Sequence, residues 1–262
     1  MACPSLHCRL RRWFQGPAGQ LVTHAEREAL AEILPGLFGY HIVQIGDHTQ
    51  GDLLESSLIC HRVVFAVSAD PPLRIPVGYC EAEHLPLQTD CVDVAVLPHL
   101  LEFSPDPHQV LREVDRILVG EGHVVLLGFN PISLWGIWRL LWGWRGLPPW
   151  SGEFHSAPKI KDWLRLLGFE VVREGTHCFH PPWSNCLPRD PTLRTRFAAL
   201  SAARLGAIYL IVARKHLVRL TPLPQPWKAR RRLAAGEAAE PGIVQSSVQS
   251  SNHGCGDKGD QG

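Results

Sequence analysis

The stretch from Gln88 to Asn130 reads QTDCVDVAVLPHLLEFSPDPHQVLREVDRILVGEGHVVLLGFN, and it decides the fold. Val92–Leu97 reads as a strand, rich in Val and interrupted only by Asp93. From Gln109 to Leu118 the period changes: Val110, Leu111, Val114, Ile117 and Leu118 share one side of a helix. Gly120-Glu121-Gly122 is expected to end that helix, and His123–Gly128 is a second strand, a continuous apolar run. Two strands of this type with a helix between them imply a parallel pair joined by a crossover.

Working outward, the same alternation continues. His41–Ile45 is an apolar run ending at Gly46, Arg62–Val67 is a second, and a short strand fits around Pro76–Cys80. On the other side, Ser156–Leu167 has helical period, with Ile160, Trp163, Leu164 and Leu167 inward. Phe169–Arg173 and Ala207–Ala213 read as strands, and Thr192–Leu205 as a helix. The expected fold class is α/β, a doubly wound, mostly parallel sheet of seven strands. Residues 1–37 form an N-terminal helical extension, in which Thr23 and Glu26 have capping-box spacing and Pro35-Gly36 stops the chain. Residues 38–217 are the main domain, with a Trp-rich insert at 131–150 and a further insert at 176–205. From 218 to 262 Pro, Ala, Gly, Ser and Gln dominate without apolar period, the composition of a disordered tail.

Composition bounds the function. Apolar residues make up 45% of the 262 and charged residues 19%, enough to bury a large core. Eight cysteines with no C-x-x-C pair are too dilute for a disulfide scaffold and read as reduced thiols in a cytoplasmic protein. No run of about 20 apolar residues is present. Net charge is +1, but it is unevenly placed: Phe38 to Glu121 holds thirteen acids against four arginines and no lysine. That region suits a cationic or polyhydroxylated ligand better than a polyphosphate. A dinucleotide at the turn after Gly46 would meet Asp47 and Asp52. Two like charges about 4 Å apart repel by about 4 kcal/mol at an effective dielectric of about 20. A sulfonium meets no such objection. Basic residues cluster between Asp190 and Glu237, where a solvated face and a charged tail account for them, so no nucleic-acid partner is expected.

The order Glu81-Ala82-Glu83-His84-Leu85-Pro86-Leu87, Asp90-Cys91-Val92-Asp93-Val94-Ala95, Leu100-Leu101-Glu102-Phe103, Leu111-Arg112-Glu113-Val114, Arg116-Ile117-Leu118 and Gly120-Glu121-Gly122 resembles the class I S-adenosylmethionine-dependent methyltransferases of the "methyltransferase domain 11" kind. Gly128-Phe129-Asn130-Pro131 with Ser133-Leu134-Trp135-Gly136 resembles a bacterial subgroup of that family. The resemblance covers roughly residues 38–216. It implies S-adenosyl-L-methionine as cofactor, bound by Gln44, Gly46 and Asp47 after the first strand and by Ser68 and Asp70 after the second. It also implies contacts from Glu81, Ala82 and Glu83 after the third strand and from Leu97 in the fourth. The chain departs from the family in its first loop, where His48 and Gln50 stand in place of glycines and Gln44 in place of an acid. Ser68 stands where the family has the acid that holds the ribose. Two readings follow: the cofactor binds in a widened loop, or the domain keeps the fold without it.

The resemblance implies methyl transfer to a small-molecule or lipid-like acceptor. A catalytically inactive domain acting as a binding or membrane-peripheral module is the alternative. His99 and Glu102, just past the fourth strand, are the catalytic candidates, and the other reading of His99 is a cap on the following turn. Asn130-Pro131 either lines the cleft rim or satisfies a turn. His177, Cys178, His180 and Cys186 match no zinc spacing, and no metal is expected. The segment from Ile132 to Arg145 carries four tryptophans. Read as one helix of about 14 residues, it is too short to cross a bilayer. It is a core cover, a lid on the acceptor pocket, or a peripheral membrane contact through Arg139 and Arg145.

Overall fold

The structure is a computed structural model and describes residues 6–46, 53–66, 76–142, 149–178 and 206–216. Two helices, α1 (Leu6–Phe14) and α2 (Pro17–Ile33), come first, and a single 3-10 turn over Leu34–Gly36 leads into the sheet. The strands are β1 (His41–Ile45), β2 (His61–Ala66), β3 (Val77–Tyr79), β4 (Val92–Pro98), β5 (Leu118–Phe129), β6 (Phe169–His177) and β7 (Ile208–Lys215). Helix α3 (Pro107–Ile117) joins β4 to β5, and α4 (Leu134–Trp142) and α5 (Ala157–Leu166) lie between β5 and β6. The sheet has seven strands in the order β3-β2-β1-β4-β5-β7-β6. The first five run parallel, and β7 is antiparallel to both β5 and β6.

Alternating side chains of the central strands feed two cores. Val43, Ile45, Ala95, Leu97, Val124 and Leu126 pack with α3 and α5 on one face. Ile42, Val94, Val96, Val125 and Leu127 pack with Ala29, Leu30 and Ile33 of α2 on the other. Being covered on both faces is why these strands read as continuous apolar runs. A third cluster, with Leu10, Phe14, Val22, Phe129, Trp135 and Phe154, closes the end of the sheet where β5 stops and β7 starts.

Local differences from the sequence expectations have physical causes. Helix α2 begins at Pro17, which occupies the first turn where a missing N–H costs nothing. Thr23 is therefore inside the helix, its hydroxyl donating to the Gly19 carbonyl at 3.0 Å, and it caps nothing. Gly120-Glu121-Gly122 does not end α3, which stops at Ile117, where Leu118 takes extended backbone. Those three residues sit in an irregularity of β5, where the pairing with β4 jumps from Val92↔Leu118 to Val94↔His123. Of the Trp-rich segment, Leu134–Trp142 is helical, and residues 143–148 lie outside the described residues. Strand β6 runs on to His177 because its antiparallel partner β7 offers a ladder as far as Ile208. The expected helix 192–205 lies outside the described residues, as do His180 and Cys186.

Candidate active site

The carboxyl ends of β1 and β4 lie side by side, Gln44 paired with Val96. In an open α/β sheet this is the crevice where ligands sit. Gly46 follows β1 with φ +138, and its backbone N–H donates to Phe65 O at 2.9 Å. A Cβ on Gly46 would come within 3.2 Å of the Pro98 carbonyl and touch Leu100. The first glycine is thus required by backbone conformation and by close approach to the next strand.

Gln44 is wholly buried, and its Oε1 accepts from the Leu53 backbone N–H at 3.3 Å. Its Nε2 has no hydrogen-bond partner among the described residues. A buried amide donor without a partner costs about 1–3 kcal/mol, which an acceptor on a bound ligand would recover. Leu97, one strand over, is buried beside Ile45 in the core.

The segment after β3 is fixed to α3. Leu85 N–H donates to Glu113 Oε2 at 3.3 Å, and the Arg116 guanidinium donates to Leu85 O at 3.0 Å and Leu87 O at 2.8 Å. Arg116 is also paired with Glu113 at 2.8 Å, and that hydrogen bond holds the Glu113 carboxyl below the usual carboxylate range. Ala82 is buried, Glu81 faces solvent with His84 3.8 Å away, and Glu83 accepts from the Ser104 hydroxyl at 2.6 Å. The Glu83–Ser104 bond joins this segment to the turn after β4. Gln44, Gly46, Leu97, Glu81, Ala82 and Glu83 therefore lie on strands and loops toward the carboxyl end of the parallel strands. Asp47, Ser68 and Asp70 lie outside the described residues, as do His48, Gln50 and Asp52.

Beyond Pro98 the chain turns into a buried polar cluster. His99 takes φ +50, its N–H donating to Leu127 O at 2.9 Å. Its Nδ1 is 2.9 Å from Glu102 Oε2, and its Nε2 is 2.5 Å from Glu26 Oε1. Glu102 Oε1 accepts from the Phe129 backbone N–H. All three side chains are almost wholly buried. Burial by itself would push the His99 pKa down. The pull of Glu102 and Glu26, with their hydrogen bonds, outweighs it and raises the value to about 10. His99 is accordingly an imidazolium at neutral pH, with both ring nitrogens engaged. A general base needs a free ring nitrogen, and His99 offers none in this conformation.

Aromatic rings seal the cluster. Phe129 stacks on His99 at 4.0 Å between centroids, and Phe14 of α1 tilts against it at 5.7 Å. Phe154 and Trp135 stack on Phe129 from outside. Asn130 serves the turn: its Nδ2 donates to Gly206 O at 3.0 Å, and its Oδ1 accepts from the Ile132 N–H at 3.1 Å. Glu26 is the cluster member that sequence reasoning assigned elsewhere. It sits between Val22 and Ala29, Leu30 and Ile33, in the middle of the buried stripe of α2. An acid where the helical period asks for an apolar residue is the signal that marks it.

Comparison with known proteins agrees with the fold. The sequence matches the methyltransferase-domain family over residues 61–126, which span β2 to β5. The Escherichia coli K12 protein YafS, an uncharacterized protein, is 34% identical over 229 residues, 86% of this chain and 90% of YafS. Among solved structures, an S-adenosylmethionine-dependent methyltransferase from Thermotoga maritima superposes with a TM-score of 0.58 at 21% identity, over 78% of this chain and 93% of that one. One from Archaeoglobus fulgidus gives 0.51 at 17% identity, over 72% and 92%. At those identities the likeness is one of fold. S-adenosylmethionine is the cofactor of the family, and the described residues fit it at two points: the glycine held against Pro98 and the unsatisfied amide of Gln44. The chain belongs to one family with YafS, and over residues 61–126 it carries the methyltransferase-domain sequence on the fold of the class I S-adenosylmethionine-dependent methyltransferases.

Proposed function

We propose that this protein transfers a methyl group from S-adenosylmethionine to a small-molecule or lipid-like acceptor at the carboxyl ends of β1 and β4. The observation that carries the reading is the Gln44–Gly46 strand end, with a buried amide donor in need of an acceptor beside a glycine whose positive φ and close approach to Pro98 disfavour any larger residue. The bound cofactor supplies an already activated methyl group, so the chain's task is alignment and exclusion of water. In this reading Gln44 Nε2 donates to the methionyl carboxylate. Gly46 and Asp47 shape the first turn, Ser68 and Asp70 take the ribose hydroxyls, and Glu81, Ala82, Glu83 and Leu97 border the adenine. His99 and Glu102 take part in chemistry only after α2 has withdrawn Glu26 from the imidazole. The functional body is residues 38–217, with 1–37 as its helical cover and 218–262 as a tail.

A second reading, a domain that binds without turning over, is favoured by the sealed His99 cluster, which fills the end of β4 with α1 and α2. Isothermal titration with S-adenosylmethionine and S-adenosylhomocysteine separates the two. The first reading expects micromolar binding, abolished in Gly46→Val and weakened in Glu81→Ala. Absence of heat and of thermal shift at millimolar ligand refutes it. Binding with no methyl transfer to any acceptor extract favours the second.

A further inference from the structure

The outer side of α4 and the residue before it gather four exposed large apolar side chains. Leu134, Ile137 and Leu140, at helical spacing on one face, are 50, 57 and 85% exposed, and Ile132 just before them is 67% exposed. The opposite side of the helix is anchored by Trp135, which is 1% exposed. The helix is held in this orientation by close packing at its start. A Cβ on Gly136 would fall 1.9 Å from the Pro131 carbonyl, and Ser133 Oγ donates to Asn130 O at 2.6 Å. The apolar stripe is thus turned outward by the fold.

Along the sequence, charge in this segment is one-sided, with Arg145 outside the described residues. Between Glu121 and Glu153 the sequence contains no acid, while Arg139 and Arg145 fall within it. The Arg139 guanidinium lies over the Phe154 ring at 4.9 Å, and its Nε donates to Trp150 O at 3.3 Å. No carboxylate pairs with it among the described residues. Beside it a groove of about 550 Å³ is lined by Pro131, Gly136, Ile137, Leu140, Trp150 and Phe154. Apolar side chains with Ser151 among them, beside a guanidinium that no described carboxylate pairs, complement an amphiphile whose acyl part meets the apolar side chains and whose phosphate meets the guanidinium. Tryptophan, with an apolar body and one N–H, is the residue type that settles at such an interface. No described helix is long and apolar enough to cross a membrane, so the contact is a lying one.

We propose that α4 docks this protein on an anionic lipid bilayer, with Leu134, Ile137 and Leu140 entering the interface and Arg139 binding a lipid phosphate. This goes beyond the methyl-transfer reading and does not rest on it, because the surface needs no cofactor to bind. Its consequence for that reading is that acceptors dissolved in the bilayer become reachable.

The test is flotation of the full-length protein with vesicles of phosphatidylcholine alone or with 30 mol% phosphatidylglycerol. The parent is expected to float with the anionic vesicles and to be released by salt. Ile137→Ser/Leu140→Ser changes two exposed side chains, leaves the buried Trp135 in place, and is expected to lower partitioning roughly tenfold or more. Arg139→Gln is expected to cost about fivefold on anionic vesicles and nothing on neutral ones. Circular dichroism and melting of each variant confirm that it folds. Every variant keeps the basic residues from Lys215 to Arg232. Binding carried by those residues leaves the α4 variants equal to the parent, which overturns the proposal. Failure of the parent to float overturns it too. A parent that is a dimer in solution and becomes a monomer in the double variant shows that a second copy covers the face, and this also overturns it.

Discussion

His99 Nε2 and Glu26 Oε1 approach to 2.5 Å across 73 residues of chain, and this contact ties α2 to the end of β4. With Glu102 on the other ring nitrogen, one imidazolium is shared by two carboxylates in a site closed by Phe14 and Phe129. Removing Glu26 leaves the imidazolium paired with Glu102 but its charged Nε2–H buried without that acceptor, which costs about 1–3 kcal/mol or more. Glu26→Ala is therefore expected to destabilise the protein by about 3 kcal/mol. Glu26→Gln should cost less, since its carboxamide oxygen still accepts from Nε2–H. Urea unfolding measures both; a Glu26→Ala variant within about 0.5 kcal/mol of the parent would show that the cluster does not hold α2.

The same cluster fixes a pH dependence. The His99 pKa is raised from 6.5 in the unfolded chain to about 10 in the fold. The proton is bound more tightly in the folded state, so the contribution is fully present below pH 6.5 and is lost as pH climbs through about 10. Burial also pushes up the Cys80 and Cys91 thiols and Tyr209, and these add to the decline at alkaline pH. The informative quantity is thus a difference. Between pH 6.5 and 10 the unfolding free energy of the parent should fall more steeply than that of His99→Asn, a residue that tolerates the positive φ at this position. Parallel curves for the two proteins would rule out an imidazolium at His99.

Gln44 separates binding from stability. Gln44→Leu removes an unsatisfied buried amide N–H and also leaves the Leu53 N–H without its acceptor. The two changes oppose each other, each worth about 1–3 kcal/mol, so stability should move by no more than about 1 kcal/mol. Affinity for S-adenosylhomocysteine should drop at least about tenfold, the loss of a hydrogen bond to a charged group. Unchanged affinity in titration calorimetry, with stability also unchanged, would remove Gln44 from the cofactor site.

The sheet was legible because central parallel strands carry no polar face. His41–Ile45 is read to the residue, and the order of elements from Val92 to Phe129 follows from apolar runs and one amphipathic helix. What escaped reading depends on tertiary partners. The pair Thr23 and Glu26 has the spacing of a cap, but Pro17 starts the helix earlier and burial turns Glu26 toward His99. Likewise, Gly120-Glu121-Gly122 has the composition of a helix stop, yet β4 offers a ladder that takes those residues into a strand irregularity. Nothing local in the sequence announces that Glu102 would reach the Phe129 N–H and His99 together. The glycine of the first turn was legible, because only its backbone freedom and its approach to Pro98 matter there.

Arg116 offers a test of how the segment after β3 serves the site. Its guanidinium holds Leu85 O and Leu87 O while Glu113 holds the Leu85 N–H, so one ion pair on α3 fixes the far end of Glu81–Leu87. The pair is partly exposed, and the charged hydrogen bonds to backbone carbonyls matter more than the pair itself. Arg116→Ala should lower stability by about 1–2 kcal/mol through those lost bonds. The loosened segment then has to be ordered on binding, so cofactor affinity should weaken about three- to tenfold, while Gly46 and the strand ends keep their geometry. Arg116→Lys keeps the charge but cannot reach both carbonyls with one planar fork, and should recover less than half of either effect. Titration calorimetry beside urea unfolding reads both quantities on one sample. A variant that loses stability but binds S-adenosylhomocysteine as tightly as the parent would show that Glu81, Ala82 and Glu83 stand outside the cofactor pocket.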